Sequence, residues 1–325
     1  MSILSTRHLM TMDDLSIDDI ETILDRADLH AAANAAGPDA KKHGTLRGQT
    51  VVNLFLEPST RTRTSFEIAG KRLGADVINI SGSASSIAKG ESLVDTAQTL
   101  DAMDADMVII RARAAGSPQI VRRNIRGSVI NAGDGKHEHP TQALLDLHTM
   151  RANFGRIAGL RVAIVGDVAH SRVVGSLGPV LSRLGASVVV AGPPAFLPTR
   201  PDVLGVEVAS SVEEAIDGAD VVYLLRIQLE RLGNLHLLPS LREYARFWGM
   251  NSRRLAALAP HTVIMHPGPM NRGVEITQEV ADSISARVLN QVNSGVAVRM
   301  AVMELLLANC AEDLTPIADK ELVNA

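Results

Sequence analysis

Hydrophobic positions along this chain change their period in a regular way. Ile17, Ile20, Ile23, Leu24 and Ala27 recur every three to four residues behind Ser16, which predicts an amphipathic helix with a serine N-cap. Short continuous apolar runs follow at 51–56, 75–80, 106–110 and 128–132, each ending in loop signals or a new helical period. Beyond Gly155 the alternation resumes: "LRVAIVGD", "ASVVVAG", "GADVVYLL" and "HTVIMHPG" have the look of buried strands, with helical stretches between them. β-Branched runs separated by helices predict parallel sheets covered on both faces. Two such series predict an α/β protein made of two doubly wound parallel-sheet domains linked by helices. The expected division is 1–145 and 146–289, with the join in a helix from Pro140 to about Asn153, since proline favours a first helical turn. A last helix is expected over 283–309, with Val292, Val296, Met300, Met303 and Leu307 on one stripe. Its later part, about 290–310, is expected to pack back on the first domain.

Composition narrows the class. A chain of 325 residues, 46% of them hydrophobic, is large enough for two cores. No apolar run approaches the roughly 18 residues of a membrane span, and Met1 to Met10 lacks a signal-peptide core, so a soluble, cytoplasmic protein with no membrane partner is expected. One cysteine, Cys310, excludes an internal disulfide and a structural zinc cluster. A net charge of −4 and an aromatic content of 2% argue against a nucleic-acid partner. Any anion site must then be a local concentration of cations.

Such a concentration lies at the predicted strand ends, where open parallel sheets bind their ligands. Ser59, Thr60, Arg61 and Thr62 follow the first strand, and Arg111 follows "DMVII". His139 and Gln142 open the helix after "SVINAGDGKHE". In the second half, Arg172 follows "VAIVGDVAHS", Arg226 and Gln228 follow "VVYLL", and Pro267 and Gly268 follow "TVIMH". Each residue has a plainer reading. Ser59 and Thr60 would cap a helix, Arg61 or Arg111 would pair with a surface carboxylate, and His139 would be a satisfied buried histidine. The plain readings must be invoked afresh at every strand end, whereas one anionic ligand accounts for them all. At the start of a helix, free backbone N–H groups, the hydroxyls of Ser59, Thr60 and Thr62 and the Arg61 guanidinium form a phosphate cradle built without glycines. The segment is neither a nucleotide P-loop nor a dinucleotide fingerprint, and the histidines lack metal-ligand spacing, so no cofactor and no metal are expected. Two polar loops, 81–92 with Lys89 in it and 230–240, are candidates for a lid.

"EPSTRTRTSFE", "HPTQALLD", "RIQLER" and "HPGPMNRGVEI", in that order, closely resemble the catalytic chains of the aspartate carbamoyltransferase family, over nearly the whole sequence. The Ser-Thr-Arg-Thr-Arg segment marks only the wider superfamily. His139-Pro140-Thr141-Gln142 and His266-Pro267-Gly268-Pro269 stand where ornithine carbamoyltransferases typically carry H-P-C-Q and H-C-L-P. The resemblance implies transfer of a carbamoyl group from carbamoyl phosphate to L-aspartate, in pyrimidine biosynthesis. It implies that Ser59, Thr60, Arg61 and Thr62 bind the phosphate, that Arg111 bridges phosphate and carbonyl oxygen, and that His139 bonds that oxygen. Gln142 and the backbone carbonyls of Pro267 and Gly268 would take the carbamoyl NH2. Arg172, Arg226 and Gln228 would hold the aspartate carboxylates, with Lys89 also counted among the aspartate-binding residues. Ser85, or else Ser86, and Lys89 would reach a neighbouring subunit's site, which implies a homotrimer with shared active sites. Domain closure would draw in the 230–240 loop with Arg231. A dihydroorotase-like or regulatory partner chain is left open, although "GPMNRGVEI" resembles the branch without zinc-bearing regulatory chains. Gly268 replaces a leucine found in some relatives; if only its backbone carbonyl is used, the change is expected to matter little. The competing readings are another transcarbamoylase, with an ornithine-like acceptor, and a non-catalytic relative that keeps the fold.

Overall fold

The computed structural model describes residues 4–82, 90–227 and 240–313. In chain order the helices are α1 (Ile17–Ala35), α2 (Thr60–Leu73), α3 (Leu93–Ala102), α4 (Ser117–Arg122), α5 (Pro140–Phe154), α6 (Arg172–Arg183), α7 (Val212–Ile216), α8 (Leu241–Phe247), α9 (Ser252–Ala256), α10 (Gln278–Ala281) and α11 (Val288–Asp313). The strands are β1 (Thr50–Phe55), β2 (Asp76–Ser81), β3 (Met107–Ala112), β4 (Ser128–Asp134), β5 (Arg161–Val165), β6 (Ser187–Ala191), β7 (Glu207–Val208), β8 (Val221–Leu224) and β9 (Val263–Met265). β1 to β4 form one parallel sheet in the order β2-β1-β3-β4, and β5 to β9 a second in the order β7-β6-β5-β8-β9. The fold is therefore two parallel-sheet α/β units. Each sheet reverses its winding once, between β1 and β3 in the first and between β5 and β8 in the second, and such reversals open a crevice beyond the strand ends.

Three details differ from the sequence reading. β2 is an edge strand and is not covered on both faces: Ile78 is 50% exposed and Asp76 and Asn79 are also exposed. The opposite edge is closed by the N-terminal segment, where Leu9 donates to Val129 and accepts from Asn131. β7 is too short for a hydrophobic run to reveal it. The last helix begins at Val288, not at 283, and it is not amphipathic. Every residue from Ala297 to Leu307 is buried, because the helix packs on α1, α2 and α5 at once, while Val292 of the expected stripe is exposed.

α5 is the structural axis. Pro140 to Met150 are all buried, with α1, α6, α11 and β4 around them. A helix buried on all sides should be apolar, yet this one holds Gln142, Asp146, His148 and Thr149, and those polar groups must find partners inside the protein. Among the described residues no helix is long and apolar enough to cross a membrane.

Candidate active site

The carboxyl ends of both sheets face one cleft of about 1140 Å³. Ser59, Thr60, Arg61, Thr62, Arg111, His139 and Gln142 line it from the first sheet, and Arg172, Arg226, Pro267 and Gly268 from the second. Of the residues predicted for the site, Ser85, Lys89 and Gln228 lie outside the described residues, as do Ser86 and Arg231.

Among the helices that start at the cleft are α2 and α5. α2 begins at Thr60, and its N-cap Ser59 makes no side-chain capping bond, so the plain reading of Ser59 as a cap does not hold. The first turn of α2 carries no acid, and Arg61 is exposed to the cleft, its pKa lowered by desolvation there and by nearby Arg226. α5 begins behind His139, which also makes no side-chain cap. The His139 backbone N–H donates to Ser176 Oγ (2.8 Å), while its Nδ1 is buried without a hydrogen bond among the described residues. Burial, then Arg111, Arg172 and Arg299, hold the His139 imidazole well below the usual range, so it is neutral near pH 7.

Glu57 organises the arginines. It is buried, and its Oε1 accepts from Arg111 Nε (2.7 Å), lies 2.7 Å from Arg111 Nη2 and also accepts from Arg172 Nη2. Arg111 is thus paired, but with a buried acid of the cleft and not with a surface one, and Glu57 ties a strand end of the first sheet to the helix opening α6 in the second. Arg111 Nη1 reaches the Ala132 carbonyl (3.2 Å). Burial and Arg111 lower the Arg172 pKa to about 10, still cationic near pH 7. Gly133, at φ +116°, lets Arg172 approach: a Cβ there would lie 2.9 Å from Nη1.

Gly268 lies against Arg61. Its φ is +60°, and a Cβ built on it would overlap the Arg61 guanidinium. A side chain at 268 would have to displace the Arg61 guanidinium, the far end of a flexible side chain, in this conformation.

Several lining groups escaped the sequence reading. Glu57 sits inside "EPSTRT", an acid beside a cationic stretch, and that juxtaposition was its only signal. Arg299 interrupts the apolar run of α11; it is buried, donates to Ser65 Oγ (2.8 Å) and lies over the Phe66 ring at 5.0 Å. Burial and Arg111 bring its pKa down to about 9. Arg113, Lys136 and His170 also line the cleft, with His170 held by Asp167 (2.7 Å). Asp146 lies beneath Gln142, and burial raises its carboxyl to about 7.

The chemistry this offers is the binding of more than one anionic group at once: cations from both sheets, free helix N–H groups and a neutral histidine, with donors outnumbering acceptors.

Two family models match the chain. The aspartate/ornithine carbamoyltransferase carbamoyl-P binding domain matches residues 7–152, and the Asp/Orn binding domain of the same family matches residues 158–306. The aspartate carbamoyltransferase catalytic subunit of Sorangium cellulosum is 54% identical over 306 residues, 94% of each chain. A crystal structure of aspartate transcarbamoylase from Trypanosoma cruzi in complex with carbamoyl phosphate is similar with a TM-score of 0.83 at 30% identity, over 92% of this chain and 95% of that one. Ornithine carbamoyltransferase from Pyrococcus furiosus is similar with a TM-score of 0.84 at 27% identity, over 95% and 99%.

Proposed function

The chain belongs to the aspartate/ornithine carbamoyltransferase family, and we propose that its cleft transfers the carbamoyl group of carbamoyl phosphate to the α-amino group of L-aspartate. The products are N-carbamoyl-L-aspartate and phosphate, and the reaction belongs to de novo pyrimidine (UMP) biosynthesis. The observation that carries this reading is the convergence of Arg61, Arg111, Arg172 and Arg226 with two helix N-termini on one cleft. Carbamoyl phosphate brings about two negative charges and aspartate two carboxylates, and holding both side by side requires cations on both walls.

The fold does not select the acceptor, because an aspartate enzyme and an ornithine enzyme resemble it equally well. The second wall favours aspartate. An acceptor with a second amine would call for acids there, and Arg172 and Arg226 stand instead.

In this reading Ser59, Thr60, Arg61, Thr62 and Arg111 hold the phosphate. Gln142 and the carbonyls of Pro267 and Gly268 take the carbamoyl NH2, and Arg172, Arg226 and Gln228 take the aspartate carboxylates. The neutral amine attacks the carbamoyl carbon and forms the C–N bond. Charge gathers on the carbonyl oxygen beside Thr62, Arg111 and neutral His139. The bond to phosphate then breaks, and the departing phosphate takes its electron pair and the amine's proton. Ser85 and Lys89 complete a neighbouring subunit's site, making the working unit a cytoplasmic homotrimer, whether or not a dihydroorotase-like or regulatory chain joins it.

The test is ureido product formation from carbamoyl phosphate with L-aspartate and L-ornithine offered in parallel, without added metal. Carbamoyl-aspartate alone is expected. Product only with ornithine would overturn the assignment of Arg172 and Arg226, and no product with either would overturn the enzymatic reading.

A further inference from the structure

Asp146 lies one helical turn beyond Gln142 on α5 and is fully buried between the two sheets. Its Oδ1 accepts from Gln142 Nε2 (3.1 Å) and from Gln291 Nε2 (2.7 Å), and its Oδ2 accepts from the Tyr223 hydroxyl (2.7 Å). Gln291 Oε1 accepts from the backbone N–H of His266 (2.9 Å), and His266 Nδ1 accepts from the Gly268 N–H (2.8 Å). One carboxylate oxygen therefore anchors two chains of hydrogen bonds. The first ends in the Gln142 side chain, and the second ends in the turn that contains Pro267 and Gly268.

Orientation follows from the donor and acceptor inventory. An ionised carboxylate only accepts, so both glutamines must turn their NH2 groups toward Asp146. Gln142, which lines the cleft, is left with its carbonyl oxygen for a ligand. Gln291 is left with its carbonyl for His266, which fixes the end of β9. An amide without such an anchor has two orientations of the same shape and opposite polarity, and one of them would present NH2 to the carbamoyl NH2.

We propose that Asp146 is a positioning residue that makes the cleft select a donor bearing an NH2 group, by fixing the Gln142 amide directly and the 266–268 turn through Gln291. The proposal rests on the reading that the cleft binds carbamoyl phosphate. It accounts for an acid in a helical stretch, Pro140 to Met150, that is buried throughout, with three donors around it, two of them 77 or more residues away in sequence.

The test uses the full chain at pH 8, above the value of about 7 to which burial pushes the Asp146 carboxyl. Calorimetric titration with two stable phosphonates, phosphonoacetamide and acetonylphosphonate, compares a terminal NH2 with a methyl group, and inorganic phosphate serves as the reference. Wild type is expected to prefer the amide by about tenfold or more, the scale of a buried polar group left unpaired. Asp146→Leu is expected to bring the preference to about unity while phosphate affinity stays within about twofold. Asp146→Asn keeps one oxygen for the two glutamines and can turn its own NH2 to the Tyr223 oxygen, so it should restore most of the preference. Gln291→Leu, which cuts only the indirect arm and keeps the carboxylate, should lose part of it and tests the proposal even if Asp146→Leu does not fold. Equal loss of affinity for all three ligands would make Asp146 merely structural and overturn the proposal. So would an unchanged preference in Asp146→Leu and Gln291→Leu. A wild type that binds phosphate and both phosphonates without preferring the amide would overturn the Gln142 assignment and the proposal with it. A wild type that binds none of the three would overturn the carbamoyl phosphate reading itself.

Discussion

α1 and α2 both start behind a serine, and the two starts are built in opposite ways. Ser16 accepts from the Asp19 N–H (3.0 Å), Asp19 accepts in return from the Ser16 N–H (2.9 Å), and Asp18 and Asp19 place negative charge at the positive end of the helix. Ser59 makes no capping bond, and the turn behind it carries Arg61 and Arg63 and no acid. Ser92, Ser171, Ser211 and Ser240 likewise accept from the backbone N–H three residues on, and all of these but Ser171 are followed by an acid in the first turn. A helix that omits its cap and adds cations to its positive end gives up stabilisation of roughly 0.5–2 kcal/mol. That loss is reversed when an anion binds, which is the physical sense of a phosphate cradle and a case of local rules broken at a functional site. α1 is built for its own stability, and α2 is built for a ligand.

The largest expected effect comes from Arg61→Ala. Carbamoyl transfer should fall by about 10²–10³, while the thermal midpoint of the unliganded protein stays level or rises, because a cation is removed from a helix N-terminus and from beside Arg226. A marked fall in the midpoint would show that α2 relies on Arg61 for stability and would break the contrast.

Gly268→Leu should follow. A left-handed residue with a side chain costs about 1–2 kcal/mol, and the displaced Arg61 should lower kcat/KM by roughly tenfold. Unchanged kinetics would mean that Arg61 moves aside without loss.

A matched pair of serine changes sharpens the comparison most directly. Ser16→Ala should lower stability by about 1 kcal/mol in urea denaturation with activity kept. Ser59→Ala should leave stability within a few tenths of a kcal/mol and raise the KM for carbamoyl phosphate. Equal losses of stability would erase the distinction.

A pH-dependent effect concerns the residue ahead of α5. Glu138 accepts from the Met12 N–H (2.9 Å) and the Ser176 hydroxyl (2.8 Å), and burial, outweighing those bonds, raises its carboxyl to about 7. Between its ordinary value of 4.5 and about 7 the folded protein binds more protons at this site than the unfolded chain. Stability from this group is thus greatest at acid pH and declines as pH rises through that window. Glu138→Gln should remove that decline, so its urea midpoint should gain on wild type at pH 8 relative to pH 5. A gain at pH 5 instead would mean that the hydrogen bonds, and not burial, set the Glu138 charge.

Legibility of the cleft depended on how far apart the interacting residues lie in the chain. Arg61, Arg111, His139, Gln142, Arg172 and Arg226 are recognisable in the sequence as one group because each follows a predicted strand, and parallel sheets gather their strand ends on one side. Glu57 carried no label of its own, since its partners lie 54 and 115 residues away. Arg299 and Asp146 stand in helical stretches, and nothing in periodicity says what a buried charge will meet. The failed stripe on α11 has the same cause: hydrophobic period tells which residues avoid water, whereas the number of neighbouring helices is settled by packing.

Local period and chain order were enough to establish the alternation of strands and helices, the parallel sheets, the cationic strand ends and the family motifs, because each of these is written in neighbouring residues. Packing settled the rest: that Glu57 joins Arg111 to Arg172, that Gly268 leaves room for Arg61, and that Asp146 orients two glutamines at once. Those are contacts between distant segments in a low-dielectric interior, where a hydrogen-bond partner, once excluded from water, must be found in the fold.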